Sequence, residues 1–409
     1  MKLLTVDTIE TAREKLLDCI QSWQLPIKRL SPLESLGQIL AEDLYSPSDI
    51  PAFHRSTVDG YAVAAADTAG AGESIPVFLT LIDRVEMGKS ALVPVKPGEC
   101  VYVPTGGMIP QGADAVVMIE YSESFAGNSI AVYEAAAVGT GLVCVGEDLE
   151  QGSILLRRGA RIRPQEAGAL AAAGIIEVPV YEKLTLTLIS IGDELVSPEQ
   201  EPGAGQIRDI NTSALYAMAL ESGYRVLAAQ VLTDDEALLE QTVREAMAVS
   251  DVVAVSGGSS QGEKDATAAV LDRVANPGVF THGLALKPGK PTILGYDDAS
   301  KTILVGLPGH PVAAMMVFKL LLSPLLDTLS GQAPAFPVPA RISCNIAGFP
   351  GRTTCQSVSL RLAGDGYIAE PIFGKSGMIS TLTRADGYII IDKNKEGLQK
   401  HESVWVYLF

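Results

Sequence analysis

Apolar and polar positions along the chain fall into successive textures. Ile9, Ala12, Leu16, Cys19, Ile20 and Trp23 recur at helical spacing, so 8–22 reads as an amphipathic helix that Pro26 ends. Ser31-Pro32-Leu33-Glu34 has the form of a capping box with proline at the first helical position, which predicts a second helix to about Asp43. "SPSDIPAFH" at 46–54 reads as an extended, proline-punctuated crossing. From about 55 to 140, short β-like runs ("IPVFLTLI", "CVYVP", "AVVMIEY", "IAVYEAA") alternate with Gly/Pro turns, the pattern of a small β domain. "RPQEAGALAAAGIIEV" at 163–178 reads as a helix with Pro164 near its start and Gly174 as its stop.

From 183 to 330 the period alternates between strand and helix. "LTLTLISI", "YRVLAAQVL", "DVVAVS", "PTILGY" and "TILVGL" read as strands. Helices are expected after Asn211, in "DEALLEQTVREAMAV", from about Asp265 and in "HPVAAMMVFKLLLSPLLDTL". Such alternation predicts a parallel sheet with helices on both faces. After the linker "SGQAPAFPVPA" the chain returns to short strands and turns, which suggests a small β barrel or sandwich.

Composition narrows the function classes. A chain of 409 residues implies about two to four domains. The net charge of -17 argues against a protein that coats nucleic acid, so any anionic ligand needs a local basic site. The five cysteines never form a CxxC pair, which points to a reducing, cytoplasmic compartment rather than a disulfide framework or zinc knuckle. No signal peptide is expected, nor any apolar run long enough to span a bilayer. The four histidines are scattered, so a metal is expected to be a hard ion on oxygen ligands.

In open parallel sheets ligands bind outside the carboxyl ends of the strands. Here those ends lead into "SIGDEL" (Asp193, Glu194), "TDDE" (Asp234, Asp235), "SGGSSQGEKD" (Ser256 to Asp265) and "GLPGHP". "ALKPGKP", with Lys287 and Lys290, lies between them. Each piece has a plain alternative. The glycine loop is either a tight turn or a cradle of amide donors for phosphate. Asp235 can be only a helix cap. Lys-Pro-Gly-Lys-Pro can be a solvated turn. Taken together, carboxylates with lysines and amide nests make sense if Mg²⁺ bridges carboxylate and phosphate oxygens, with Asp265 on the metal side.

The quoted motifs, with "LALKPGKP" and "GQIRDINTSAL", resemble the molybdopterin molybdenumtransferase family, which includes the E domain of gephyrin. "SDIPAFHRSTVDGYAV" (48–63), "VPTGGMIPQGADAVVMIE" (103–120), "GEDLEQGSILLRRGARIRP" (146–164) and "FGKSGMISTLTRADG" (373–387) extend the resemblance over essentially the whole chain. The resemblance implies a multidomain α/β plus β fold. Its parts would be a parallel-sheet molybdopterin-binding domain (1–27 and 178–330), a helical linker domain (28–50 and 140–177), an inserted β domain (51–139) and a C-terminal β barrel (331–409). It implies insertion of molybdate into adenylylated molybdopterin with release of AMP, Mg²⁺ as cofactor, and a homodimer. The adenylylating protein of the same pathway is a further implied partner; no nucleic acid or membrane is expected.

Carried over residue by residue, the catalytic positions are Asp59, Thr105, Asp148, Glu194, Asp234 and Asp265, of which Glu194, Asp234 and Asp265 would hold the metal. The substrate-binding positions are Ser256, Gly257, Gly258, Ser260, Gly262, Lys287, Lys290, Pro308, Pro311, Arg352 and Ser376. The resemblance, not the spacing, brings Asp59 and Thr105 to the shared cleft, from the other subunit. On their own, Asp59-Gly60 and Ser376 would read as turns. The chain departs from the family pattern at Val58, at Val145, and in "GRTTCQSVSL" (351–360), where Cys355 and Ser357 replace an aromatic residue and an arginine. That arginine position is associated with the anionic substrate, and Arg352 is the nearby guanidinium that remains. A tungstate-preferring enzyme, a divergent paralogue and a non-catalytic scaffold are the alternatives this leaves open.

Overall fold

A computed structural model describes residues 6–258, 266–332, 336–364 and 366–409. The chain forms two compact units, Met1–Lys28 with Tyr181–Phe409, and Arg29–Val180.

The first unit begins with the helix Ile9–Ile20, which buries Ile9, Ala12, Leu16 and Ile20 on one face. Thr8 caps it, its hydroxyl accepting from Thr11 N at 3.3 Å. The central sheet has the strand order Arg225–Leu232, Thr185–Ile191, Val252–Ser256, Thr302–Leu307, Ile293–Asp297, Pro277–His282. The first four run parallel. Ile293–Asp297 alone runs the other way, pairing antiparallel with both of its neighbours, so the sheet is mixed rather than wholly parallel. Pro277–His282 has no counterpart among the strands read from the sequence. It opens on Pro-Gly and lies at the sheet edge, half-buried, so it lacks the long apolar run that marks an inner strand. Side chains of Ile189, Val253, Val255 and Leu304 pack on one face against Leu239 and Val243 of the helix Glu236–Met247 and Val270 and Leu271 of Ala266–Val274.

The stretch Pro311–Ser330 is one continuous helical run of 20 residues, long and apolar enough to cross a membrane by length and composition, contrary to expectation. Its apolar window is 61% buried within the protein, as in the core helix of a globular unit. The run passes through a π-helical stretch, Phe318–Leu322. Pro324 has no N–H to offer Leu320 O in the ordinary four-residue pattern. Arg13 of the first helix supplies the donors instead, Nε at 3.0 Å and Nη2 at 2.6 Å.

The C-terminal part of this unit is a closed five-strand barrel. Thr353–Ala363 pairs with Gly366–Pro371, then Val338–Ile342, Ser403–Leu408 and Gly387–Ile391, which returns to Thr353–Ala363. Inward residues such as Ile342, Val358, Ala369, Ile389 and Val406 fill it. The short strand Leu286–Lys287 lies parallel to its wall, with Lys287 opposite Thr354. The fold is thus multidomain α/β plus β.

The second unit holds a six-stranded sheet in the order Ala115–Met118, Gly60–Val63, Glu99–Val103, Val77–Arg84, Ser129–Val132, Ser122–Phe125. Alternate residues face two small cores, Tyr61, Val63, Leu79 and Ile130 on one side and Ala62, Val101, Val103 and Val116 on the other. The helix Pro164–Ala172 ends before Gly174, whose left-handed φ of 69° favours glycine. The helix expected over 31–43 does not form. The Ser31–Glu34 box closes, with Glu34 N donating to Ser31 Oγ at 3.4 Å and Ser31 N to Glu34 Oε2 at 3.1 Å, but the turns stop at Gly37. Gly37 takes a left-handed φ of 76° and gives its N–H to Ile162 O at 2.7 Å, which turns the chain into extended pairing.

Candidate functional site

The parallel strands are in register, Ser190 opposite Ser256 and Ser256 opposite Leu307, so their carboxyl ends open on one edge. Four loops leave that edge. Gly192 lets the first turn back, its N–H donating to Leu232 O at 3.1 Å and its carbonyl accepting from Leu195 N at 3.1 Å, which places Glu194 on the rim. Asp193 Oδ1 accepts from Asp234 N at 3.0 Å and steadies the second loop. Asp235 caps the next helix, its Oδ1 accepting from Ala237 N at 2.9 Å and Leu238 N at 3.0 Å. In the third loop Gly257 has φ 100°, and a Cβ there would run into Ile191 O.

A buried amide ties these loops together. Asn211 Nδ2 donates to Ser256 Oγ at 2.7 Å and to Gly309 O at 2.8 Å. Asn211 thus joins the glycine loop to the Pro308–His310 turn from beneath. It stands inside the quoted motif "GQIRDINTSAL", but the sequence marks it only as a helix start.

Opposite lies the lysine segment and the barrel. Thr353 N donates to Ala285 O at 2.8 Å and holds the two together. Lys287 Nζ sits 2.8 Å from the centroid of the Phe349 ring, a cation–π contact. Burial, and then repulsion by Arg352, hold the Lys287 pKa below the ordinary lysine value of 10.5. The loop after Gly366–Pro371 is pinned at both ends. At its root Ile372 N donates to Ser357 O at 2.9 Å, and Gln356 Nε2 donates to Ile372 O at 2.8 Å. At its tip His310 Nδ1 lies 2.8 Å from Ser376 Oγ, and Val312 N donates to Ser376 O at 3.1 Å. Cys355 lines the same wall, and burial pushes its thiol up to about 12, so it is a neutral group.

These elements enclose a cleft of about 1200 Å³. Among its lining residues are four cationic side chains, Lys287, Lys290, Arg352 and Lys375, against two carboxylates, Glu194 and Asp234. In a chain of net charge -17 that local excess of positive charge favours an anionic ligand.

The cleft gathers nine of the expected residues: Glu194, Asp234, Gly257, Gly258, Lys287, Lys290, Pro308, Arg352 and Ser376. Ser256 lies beneath it as a buried acceptor for Asn211, and Pro311 is buried in the first turn of its helix, beside the lining residue Val312. Ser260, Gly262 and Asp265 fall outside the described residues. Asp59, Thr105 and Asp148 belong to the other unit. There Asp59 Oδ1 accepts from Thr105 N at 2.7 Å, while Asp148 is exposed and gives its N–H to Ile50 O at 3.1 Å. Among the described residues no three His, Cys, Asp or Glu side chains cluster as a metal site. His310, Phe349 and Lys375 line the cleft without a distinct motif signal of their own.

An α/β sheet whose carboxyl edge carries glycine loops, carboxylates and lysines, closed over by a β barrel, forms a cleft whose chemistry suits an anionic small molecule. Family models match in chain order: the MoeA N-terminal region (domain I and II) at residues 7–174, a probable molybdopterin binding domain at 187–328 and the MoeA C-terminal region (domain IV) at 339–409. A Bacillus subtilis protein named molybdopterin molybdenumtransferase is 32% identical over 381 residues, covering 92% of this chain and 88% of its own. The protein of that name from Haemophilus influenzae is 30% identical over 411 residues, covering 98% of each. The crystal structure of the molybdopterin biosynthesis moeA protein from Pyrococcus horikoshii OT3 superposes with a TM-score of 0.85 at 30% identity, over 99% of this chain and 100% of that one. The chain belongs to the MoeA family.

Proposed function

We propose that this protein is a molybdenum insertase, which transfers molybdate into adenylylated molybdopterin and releases AMP in forming molybdenum cofactor. The observation that carries this reading is the cleft, where two carboxylates on the sheet edge face a lysine and arginine wall. A phosphoanhydride and a tetrahedral oxyanion both need such a wall, because each brings negative charge that the chain as a whole would repel. In the step proposed, water adds to the adenylyl phosphorus, the bond to the pterin phosphate breaks and AMP leaves. Lys287, Lys290 and Arg352 neutralise the phosphate and molybdate oxygens. The amides at Gly257 and Gly258 lie where the backbone can approach a phosphate closely. The Asn211 tie keeps that loop and the Pro308–His310 turn in fixed relation.

Mg²⁺ fits the donor set, since it binds through one or two carboxylates together with substrate phosphates. Glu194 and Asp234, both exposed in the same cleft, would hold it, with Asp265 as a third oxygen donor. Bound there, the ion would neutralise charge on the phosphate and acidify a water. On this reading the protein is a homodimer, and Asp59, Thr105 and Asp148 serve the cleft of the partner copy. Its five free thiols accord with work in a reducing compartment.

The test is to incubate the purified protein with adenylylated molybdopterin, Mg²⁺ and either molybdate or tungstate, and to follow AMP release. Release with molybdate supports the reading, and preference for tungstate reassigns the metal. No release with either oxyanion, from folded protein, leaves a scaffold and overturns the enzyme.

A further inference from the structure

Ser357 is buried and neutral, and it lines the cleft. Its carbonyl holds the root of the loop that carries Lys375, through the bond from Ile372 N at 2.9 Å. Three residues further on, Lys375 lines the cleft, exposed, with no carboxylate partner among the described residues. The next residue, Ser376, is fixed by His310 Nδ1 at 2.8 Å and by Val312 N at 3.1 Å. A lysine on a free loop would lose much of its binding energy in being ordered. Here both ends of the loop are already tied, so the backbone share of that cost is met before a ligand arrives.

The neighbouring cations leave a role open. Lys287 has its ammonium against the Phe349 ring and is repelled by Arg352. Beside it Thr354 Oγ1 is buried with no hydrogen-bond partner among the described residues, a polar group that a ligand oxygen or a water would satisfy. This end of the cleft therefore combines a half-buried cation, Lys287, and an exposed one, Arg352, with an unspent hydroxyl. Lys375 lines the same cleft as an exposed charge.

We propose that Lys375 is an anion-binding, specificity-determining residue of this cleft, contacting a tetrahedral oxyanion group of the substrate, and that His310 positions it through Ser376. This rests on the functional reading above. The oxyanion is either molybdate or the phosphate of the adenylyl group, and the two are separable by experiment.

The experiment measures the binding of molybdate and, separately, of AMP to the whole protein by calorimetry, at low and high salt. Wild type is compared with Lys375→Met, Lys375→Arg, His310→Ala and the double variant Lys375→Met/His310→Ala. Loss of one charge-assisted contact is expected to weaken the affected ligand about tenfold in Lys375→Met and to flatten its salt dependence. Lys375→Arg should stay within about threefold of wild type, since the charge remains. His310→Ala should weaken the same ligand, and the double variant should bind no worse than Lys375→Met alone, the signature of two residues acting through one contact. Weakening confined to molybdate, or confined to AMP, names the group contacted. In turnover, KM should rise while kcat stays within about twofold. Unchanged affinity for both ligands in Lys375→Met overturns the proposal. Additive losses in the double variant overturn the part played by His310. If wild type binds these anions but releases no AMP from the full substrate, the functional reading fails while Lys375 remains tested.

Discussion

Asn211 Nδ2 lies 2.7 Å from Ser256 Oγ, and both groups are buried. The bond spans the start of one helix and the end of a neighbouring strand. Asn211→Ala removes both of its donors and leaves Ser256 Oγ and Gly309 O without them. A buried polar group left unsatisfied costs about 1–3 kcal/mol. The denaturant midpoint of the variant should fall accordingly, and AMP release should slow because two rim loops lose their common anchor. A stable variant with full activity would show that the tie has no part in shaping the rim.

Asp59 has two possible meanings, a turn residue or a working carboxylate. Asp59→Asn separates them. The amide oxygen can still accept from Thr105 N, as the carboxylate does at 2.7 Å, so stability should stay within about 0.5 kcal/mol. Turnover should nonetheless fall by about a hundredfold or more if the charge is used in the reaction. Full activity in this variant would assign Asp59 to the turn alone.

Two adjacent carboxylates in the second loop make a matched pair. Asp235 is spent on capping, and Asp235→Ala should cost about 1 kcal/mol of stability with little effect on rate. Asp234 lines the cleft, and Asp234→Asn should raise the Mg²⁺ concentration for half-maximal AMP release about tenfold. A titration of rate against Mg²⁺ in both variants checks the contrast. The reverse pattern would move the metal-side role to Asp235.

Lys287 should set an alkaline limit on anion binding in the cleft. Its folded-state pKa lies below 10.5, so as pH rises the folded protein gives up this proton before the unfolded chain does. Between the two values the unfolded state binds more protons, so this group's destabilising share is present at lower pH and is relieved as pH climbs toward 10.5. Anion binding runs the other way and is lost over the same rise. Molybdate affinity should decline at a pH below the ordinary lysine value, and Lys287→Arg should carry the decline to higher pH. An alkaline limit unmoved by that substitution would assign it to another group.

Much of the fold was legible because local rules were strong. The helix Ile9–Ile20 follows its apolar spacing, and the strands after 183 follow their apolar runs. Failures came where a single residue overrides its neighbours. Gly37 ends the turns that the Ser31–Glu34 box begins, and the edge strand Pro277–His282 carries no continuous apolar run. Of the residues that line the cleft, the strand-end rule singles out Glu194, Asp234 and the glycines, the resemblance Ser376, and Arg352 stands out as the guanidinium that remains beside Ser357. Asn211 and His310 stayed hidden because they act through hydrogen bonds to residues far along the chain, 45 and 98 positions away for Asn211 and 66 for His310, which no periodicity records. Lys375 stayed hidden because its meaning depends on how its loop is pinned.

Single-turnover stoichiometry decides whether AMP release and metal insertion are coupled in this cleft. The purified protein, mixed with substoichiometric adenylylated molybdopterin, Mg²⁺ and molybdate, is quenched at intervals, and AMP and pterin-bound molybdenum are counted in the same samples. A molybdenum insertase yields the two together in equal amounts, and Asp265→Ala yields neither. AMP without metal incorporation, or neither product from the folded wild-type protein, would contradict it.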